Sequence, residues 1–306
     1  MIEEKFIEFL DNITLSSSQS NDAQTKYTGV CEKLYSKYYE GTYDESKKYL
    51  FGSYKTKTNI SPLSEFQDVD VLFKIPQTIY DKFDQYESNG QSALLQEVRI
   101  CLEEKYSTTK EIKAWGKVVL VKFAENHHNV ELLPALELDD NTFKIPNSEN
   151  GGSWEIFDPK KEIDKFQESN KSTNRLTRQL TKMIKSWGRS IFTLSYKSFE
   201  ILNDVISFTD EFYESGKGET SYAKIVFDFF DYKKNNIADD DESKSHIDTA
   251  YNRAQKALEY ADNDKPKEAS IEWQKIFGAQ FPLIKENPQK KSESREIQNP
   301  ASPWLY

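Results

Sequence analysis

The stretch that most constrains this chain is Phe51-Gly52-Ser53-Tyr54-Lys55-Thr56-Lys57-Thr58, followed by Asp68-Val69-Asp70-Val71-Leu72-Phe73. A Gly-Ser pair closes one apolar run, and an Asp-x-Asp pair opens the next. In an extended strand, residues i and i+2 point to the same face. Asp68 and Asp70 are therefore expected side by side, about 6–7 Å apart at Cα, with Val69 and Val71 turned into the core. Two bare carboxylates repel, by about 4 kcal/mol at ~4 Å and an effective dielectric of ~20. A divalent cation removes that cost. Gly52 lets a backbone approach a ligand with no Cβ in the way, and Ser53 adds a hydroxyl and an N–H suited to phosphate oxygens. An Asp-x-Asp pair alone is common on turns and strand ends. Next to a Gly-Ser turn, each against an apolar strand, it points to phosphoryl-transfer chemistry.

The chain has 306 residues, enough for a large core in one elongated or two intimate domains. Its net charge is −10 and no basic stretch stands out, so a nucleic-acid template held by counterion release is not expected. A small phosphorylated substrate carried in with magnesium suits an acidic surface. Cys31 and Cys101 are isolated, which argues against a zinc site and for a reducing cytosol. The start is acidic and no run approaches membrane-spanning length. A soluble cytoplasmic protein with no membrane partner is the expectation.

Ile2, Phe6, Phe9, Leu10 and Ile13 recur at helical spacing. Residues 16–21 carry the cap of a second helix, which buries Tyr27, Val30, Cys31, Leu34, Tyr35 and Tyr38. The run Tyr49-Leu50-Phe51 is a strand, and Asp68 to Ile75 a second one closed by Pro76. Leu94, Leu95, Val98, Ile100, Cys101 and Leu102 form the buried side of a helix ending near Tyr106. Strands follow over Lys117–Phe123 and Asn129–Leu138, and Pro134 demotes the latter to an edge or breaks it. His127 and His128 read as a solvated turn. Gly151-Gly152 with Asp158-Pro159 marks a loop between the strand-rich half and a helical half. There Leu176, Leu180, Met183, Ile184 and Trp187 form a stripe ended by Gly188. Phe199, Leu202, Ile206 and Phe208 form the next, then Ile225, Phe229 and Phe230. Asp239-Asp240-Asp241 reads as a solvated run, and two final helices cover Ile247–Ala261 and Ala269–Phe277. Beyond Lys285 a polar, Pro-punctuated tail is expected to be mobile, although Pro303-Trp304-Leu305-Tyr306 could dock on the protein itself.

The pattern G-S-x-x-x-x-T before D-V-D-V resembles the polymerase-β-like nucleotidyltransferases, in particular the bacterial CD-NTases. These are cyclic-oligonucleotide synthases related to cyclic GMP-AMP synthase. The likeness runs through nearly the whole chain. Val130-Glu131-Leu132-Leu133-Pro134-Ala135 matches the family's run for a third carboxylate, with Glu131 where Asp is usual. Lys185-Ser186-Trp187 and Lys197-Ser198-Phe199 resemble the segments whose Lys and Ser reach the triphosphate, with Lys182 and Ser195 as competing matches. Lys185 could also simply complement a helix end. Trp273, Phe277, Gly278, Phe281 and Pro282 resemble the closing W-x-x-x-F-G-x-x-F-P.

The resemblance implies an α/β (α+β) polymerase-β-like nucleotidyltransferase core with an N-terminal helical spine and a C-terminal helical bundle, the active site lying in the cleft between them. The expected boundaries are 1–160, 161–285 and a tail over 286–306. It implies that Asp68, Asp70 and Glu131 hold Mg²⁺ (or Mn²⁺), while Gly52, Ser53, Lys185 and Ser198 hold the phosphates of ATP and/or GTP. The implied product is a cyclic di- or trinucleotide with pyrophosphate released, a second messenger in antiphage defence read by a separate effector. A regulatory protein partner is left open. No zinc ribbon or basic face for DNA is visible, so activation by duplex DNA is not expected. The alternatives are a nucleotidyltransferase that modifies an RNA end, a protein or a small molecule, and a non-catalytic nucleotide-binding regulator, which Glu131 motivates.

Overall fold

Alternation and helical periodicity sort the chain into seven strands and eleven α-helices among the described residues, which are 1–64, 67–194, 196–213 and 221–285 of a computed structural model. Helix α1 spans Ile2–Asn12, and α2 spans Ser17–Tyr38 behind a Ser16 cap whose side chain accepts from Gln19 N. The strand β1 (Lys48–Leu50) leads into the short helix α3 (Gly52–Thr56), then β2 (Asp68–Lys74). After α4 (Gln77–Asp84) and α5 (Gly90–Lys105) come β3 (Glu111–Trp115), β4 (Val118–Lys122), β5 (Asn129–Glu137), β6 (Phe143–Asn147) and β7 (Ser153–Phe157).

The sheet runs β1-β2-β5-β4-β3, with β6 beside the far end of β5 and β7 beside β6. β2 and β5 are parallel in the register Asp68↔Asn129 and Asp70↔Glu131, and every other pair is antiparallel. Residue parity fixes the faces. Val69, Val71, Phe73, Val130 and Leu132 enter the core built with α2 and α5, whereas Leu72, Leu133 and Ala135 belong to a second, smaller cluster with Phe143 and Ile145. Asp68, Asp70 and Glu131 share the parity of the second set. They face away from α2 and α5.

The helical remainder is α6 (Pro159–Ser172), α7 (Leu176–Ser190), α8 (Ser198–Tyr213), α9 (Tyr222–Asn236), α10 (Lys244–Asp262) and α11 (Pro266–Phe277). By contacts, residues 10–213 form one compact unit of the described chain, and residues 1–9 with 221–285 another. The first holds the whole sheet together with α6, α7 and α8. In the second, Phe6 meets Trp273, Phe277 and Phe281 edge-on at ring-centroid distances of 5.0, 6.0 and 5.1 Å. The aromatics of the closing motif are thus packing residues. No helix of the described residues is long and apolar enough to cross a membrane.

Several expectations are corrected. Pro134 lies in a central strand, opposite Phe73 of β2. On its other side β5 pairs β4 through residues 130–132 and β6 through 136–137, so the proline falls where the neighbour changes and no ladder donor is needed there. Gly151 and Gly152, at φ +92 and +91, turn the β6–β7 hairpin and are not a linker between halves. Asp158-Pro159 opens α6, where the carboxylate accepts from the N–H groups of Lys160 and Lys161. Gly188 lies inside α7. Ile100 and Phe199 are 52% and 55% exposed, and the buried stripe of α8 is Ile201, Val205, Ile206 and Phe208. His128 is fully buried rather than solvated, while its neighbour His127 stays exposed, with Nδ1 2.8 Å from Asp22 Oδ1. The tail beyond Lys285, and with it Trp304, lies outside the described residues.

Candidate functional site

The sheet holds Gly52 against the aspartates. Leu50 pairs with Val71, and Phe51 N donates to Asp70 O at 3.2 Å. Gly52 then takes φ +62, and a Cβ there would lie 2.1 Å from Asp70 Oδ2. Only glycine fits between this backbone and that carboxylate. Behind the Gly-Ser pair runs a hydroxyl relay. Thr56 Oγ1 donates to Gly52 O (3.1 Å) and lies 2.9 Å from Thr58 Oγ1, which accepts from Lys185 Nζ at 3.2 Å. The threonine at the end of G-S-x-x-x-x-T therefore docks the lysine of α7 onto the Gly-Ser segment.

Around these groups lies a cavity of about 420 Å³. Gly52, Ser53, Asp68, Asp70, Lys185 and Ser198 all line it, together with Thr58, Asn59, Gln67, Arg189, Tyr196 and Phe199. Lys182 is spent elsewhere, donating to Thr14 Oγ1 at 3.0 Å, so Lys185 is the lysine the structure brings to the cavity. Ser198 is its α8 serine, and Ser195 lies outside the described residues. Glu131 does not line the cavity itself. It stands beside Asp70 on the neighbouring strand, about 4.8 Å away across the ladder.

The electrostatics of this edge are strained. Burial, then the charges of Glu131 and Asp68, push Asp70 up to about 7, and burial with the Asp68 charge pushes Glu131 up to about 7. Burial also raises Asp68, against the Asn129 side chain and the Lys122 charge, and Asp68 Oδ1 is buried with no hydrogen-bond partner. Opposite them, burial and the nearby Arg189 guanidinium bring Lys185 down to about 8. Among the described residues no three His, Cys, Asp or Glu side chains are gathered closely enough to hold a metal ion as they stand. The donor chemistry nevertheless fits a hard divalent cation: oxygen ligands only, mutual repulsion, and one orphaned carboxylate oxygen.

Residues 1–170 match the family model described as the Second Messenger Oligonucleotide or Dinucleotide Synthetase domain, SMODS. The chain belongs to the SMODS family. Solved structures agree on the fold. CdnC of E. coli, in its complex with HORMA-deltaN, is 16% identical over 92% of this chain and 98% of its own, with a TM-score of 0.65. The Vibrio cholerae cyclic AMP-GMP synthase DncV, bound to nonhydrolyzable GTP, is 13% identical over 90% and 96%, with a TM-score of 0.65. CdnE of Elizabethkingia meningoseptica, solved with GTP and Apcpp, is 17% identical over 85% and 99%, with a TM-score of 0.57. Comparison with curated proteins finds no match. As a SMODS protein the chain is a nucleotidyltransferase of the kind that makes oligonucleotide or dinucleotide second messengers, and it has the fold of CdnC and DncV.

Sequence reasoning missed Arg189. Its Nη1 donates to Ile60 O (3.3 Å) and Pro62 O (3.0 Å), and its Nη2 donates to Gln67 Oε1. One guanidinium thus closes the segment that enters Asp68. The only sequence signal was its spacing of four from Lys185 on one helix face.

Proposed function

We propose that this SMODS protein joins ATP and/or GTP into a cyclic di- or trinucleotide with release of pyrophosphate, and that the product is a second messenger in antiphage defence read by a separate effector. Asp68, Asp70 and Glu131 would hold Mg²⁺ or Mn²⁺, and Gly52, Ser53, Lys185 and Ser198 the phosphates of the nucleotide under attack. The single observation that carries this reading is the sharing of one sheet face by three mutually repelling carboxylates, beside a glycine backbone that no other residue could replace. Divalent cations bound there supply positive charge to the attacking and leaving oxygens of an in-line displacement.

The chain's own groups do the rest. The cavity is lined by polyphosphate-compatible donors from α3, α7 and α8. Lys185, 7% exposed, offers its ammonium in a setting where water competes little. A carboxylate of this edge would take the proton of the attacking sugar hydroxyl.

Labelled nucleoside triphosphates with Mg²⁺ or Mn²⁺ test the reading. A phosphatase-resistant small product formed with no added acceptor supports it, and mass spectrometry identifies the ring. Product that forms only when an RNA, protein or small-molecule acceptor is added sinks it. Intact nucleotide binding with no product, in the native chain and in Glu131→Asp alike, would make the chain a binding module instead.

A further inference from the structure

The residue in front of the first aspartate carries a side-chain amide whose donor is unused. Gln67 sits one position before β2 and is 5% exposed. Its backbone N donates to Ser64 O at 3.1 Å. Its side-chain Oε1 accepts from Arg189 Nη2, while Nε2 is buried with no hydrogen-bond partner among the described residues. The guanidinium decides which way the amide is turned. Arginine has donors and no acceptor, so exchanging O and N at Gln67 would set donor against donor. The oxygen is taken, and the nitrogen with its two N–H groups is left over.

A buried donor without an acceptor costs free energy comparable to a lost hydrogen bond. The position of this one shows what could offset that cost. Gln67 lines the same cavity as Gly52, Ser53 and Lys185. The apolar lining of that cavity comes from α6 and α8, with Ile163, Phe199, Ile201 and Leu202. Gln67 belongs to the charged part instead, joined to Arg189 of α7 through its amide and to Asp68 through the chain. A second orphan stands next to it. Asp68 Oδ1 is buried without a partner as well, so a donor and an acceptor on consecutive residues leave each other unsatisfied.

A nucleoside triphosphate carried in with a divalent cation meets both needs at once. The cation answers the carboxylate oxygen, and a phosphate oxygen bound to the same cation answers the amide. We infer that Gln67 is a substrate-binding residue: its Nε2 donates to a non-bridging oxygen of the nucleotide's polyphosphate, while Arg189 holds the amide oxygen so that the nitrogen stays free for the phosphate. The inference rests on the nucleotide-binding reading proposed above.

A neutral donor suits this place better than another cation. The Arg189 guanidinium already depresses Lys185, and a further positive charge on the same wall would add to that repulsion before any ligand arrived. An amide contributes a hydrogen bond to the phosphate and leaves the charge of the wall as it was. The rival role for Gln67 is structural, a tie that fastens the start of β2 to α7. Gln67→Glu separates the two. Its carboxylate still accepts from Arg189, now as an ion pair, so the tie persists. The donor is gone, and a negative charge faces the phosphates in its place.

Calorimetry with nonhydrolysable analogues of ATP and GTP in Mg²⁺ reads the contact without turnover. Gln67→Glu should weaken every analogue that the native chain binds by about 10- to 100-fold, while the nucleotide-free variant melts within about 3 °C of the native chain. Gln67→Met deletes the donor without adding charge, and should weaken binding by about 3- to 10-fold, the worth of one hydrogen bond. Native affinity in Gln67→Glu overturns the inference, because the residue would then be only a tie. A loss confined to one of two bound bases overturns it as well, since the contact would be with a base. So does a larger fall in melting temperature, which would make the amide a support of the fold. A native chain that binds the analogues and makes no product refutes the proposed reaction, while the affinities of the variants still decide Gln67. A native chain that binds neither analogue overturns both.

Discussion

Helices α7 and α11 treat buried charge in opposite ways. On α7, Arg178, Lys182, Lys185 and Arg189 recur on one face and, among the described residues, find only neutral acceptors at hydrogen-bond distance: Thr56 O, Thr14 Oγ1, Thr58 Oγ1, and the Ile60, Pro62 and Gln67 oxygens. Burial drags all four below their ordinary pKa, with neighbouring cations adding to it for Arg178, Lys182 and Lys185. On α11, Glu272 is buried too. Burial pushes it up, but the Lys275 ammonium at 2.8 Å and Lys256 at 3.5 Å outweigh that and hold it below the usual range. One helix settles its charge within the chain. The other leaves it open, which costs stability unless a polyanion arrives, and the same is true in reverse of the aspartates across the cavity.

The comparison breaks most sharply at the carboxylates. Asp68→Asn with Asp70→Asn should remove synthesis by at least about a thousandfold, while the metal-free protein melts no lower than the native chain, because the substitution relieves repulsion rather than opening the core. An active double variant, measured by product chromatography, would end the assignment. Next in size is Lys185→Met, which keeps the length of the side chain and deletes its charge. KM for nucleoside triphosphate should rise about 10- to 100-fold with the melting temperature held or raised. A large loss of stability would mean that the charge is needed by the fold and not by a ligand.

A pH series sharpens the contrast. Asp70 and Glu131 have folded-state pKa values raised to about 7. The folded chain therefore binds more protons than the unfolded one between the ordinary carboxylate range and that value. Stability must fall as pH rises through this window, by about 2–5 °C in melting temperature for a chain of this size. Glu131→Gln should flatten the slope in metal-free protein, and Mg²⁺ should raise the native melting temperature above pH 7 more than that of the variant. A native profile that is flat from pH 5 to 7.5 would mean that the edge is not strained.

Much of the site was legible because local sequence carries it. Strand parity alone put Asp68 and Asp70 on one face, and the V-E-L-L-P-A run put Glu131 beside them. What stayed hidden depends on contacts between distant positions. Lys185 meets Thr58 at a separation of 127 residues and Arg189 meets Gln67 at 122, and no local pattern announces either. Pro134 misled because an edge or a break in the strand were the two outcomes weighed, whereas a central strand that changes neighbours offers a third. The short strands β3, β6 and β7 were not anticipated, nor was α4. β3 and β7 are half-exposed and too brief to show a period, and β6 contains Pro146. His127-His128 was taken as one solvated unit, but adjacent residues at a strand entrance point opposite ways, and only one of them meets water.

The smallest effect comes from the settled side. Glu272→Gln removes the acceptor that Lys275 and Lys256 share, and both lysines are about half-exposed, with side-chain exposures of 49% and 52%. Solvent screens such pairs, so the melting temperature should drop by only about 1–3 °C, with synthesis unchanged. The sign is opposite to that of the aspartates. Because the folded pKa of Glu272 is lowered, its contribution is complete above the ordinary glutamate range and is lost as pH falls through the folded value. The native chain and Glu272→Gln should thus converge in acid, where native and Glu131→Gln also converge. They should diverge at neutral pH in opposite directions, with Glu272→Gln below the native chain and Glu131→Gln above it. Divergence of both in the same direction would show that the carboxylate edge of the sheet and α11 do not differ in the way their partners imply.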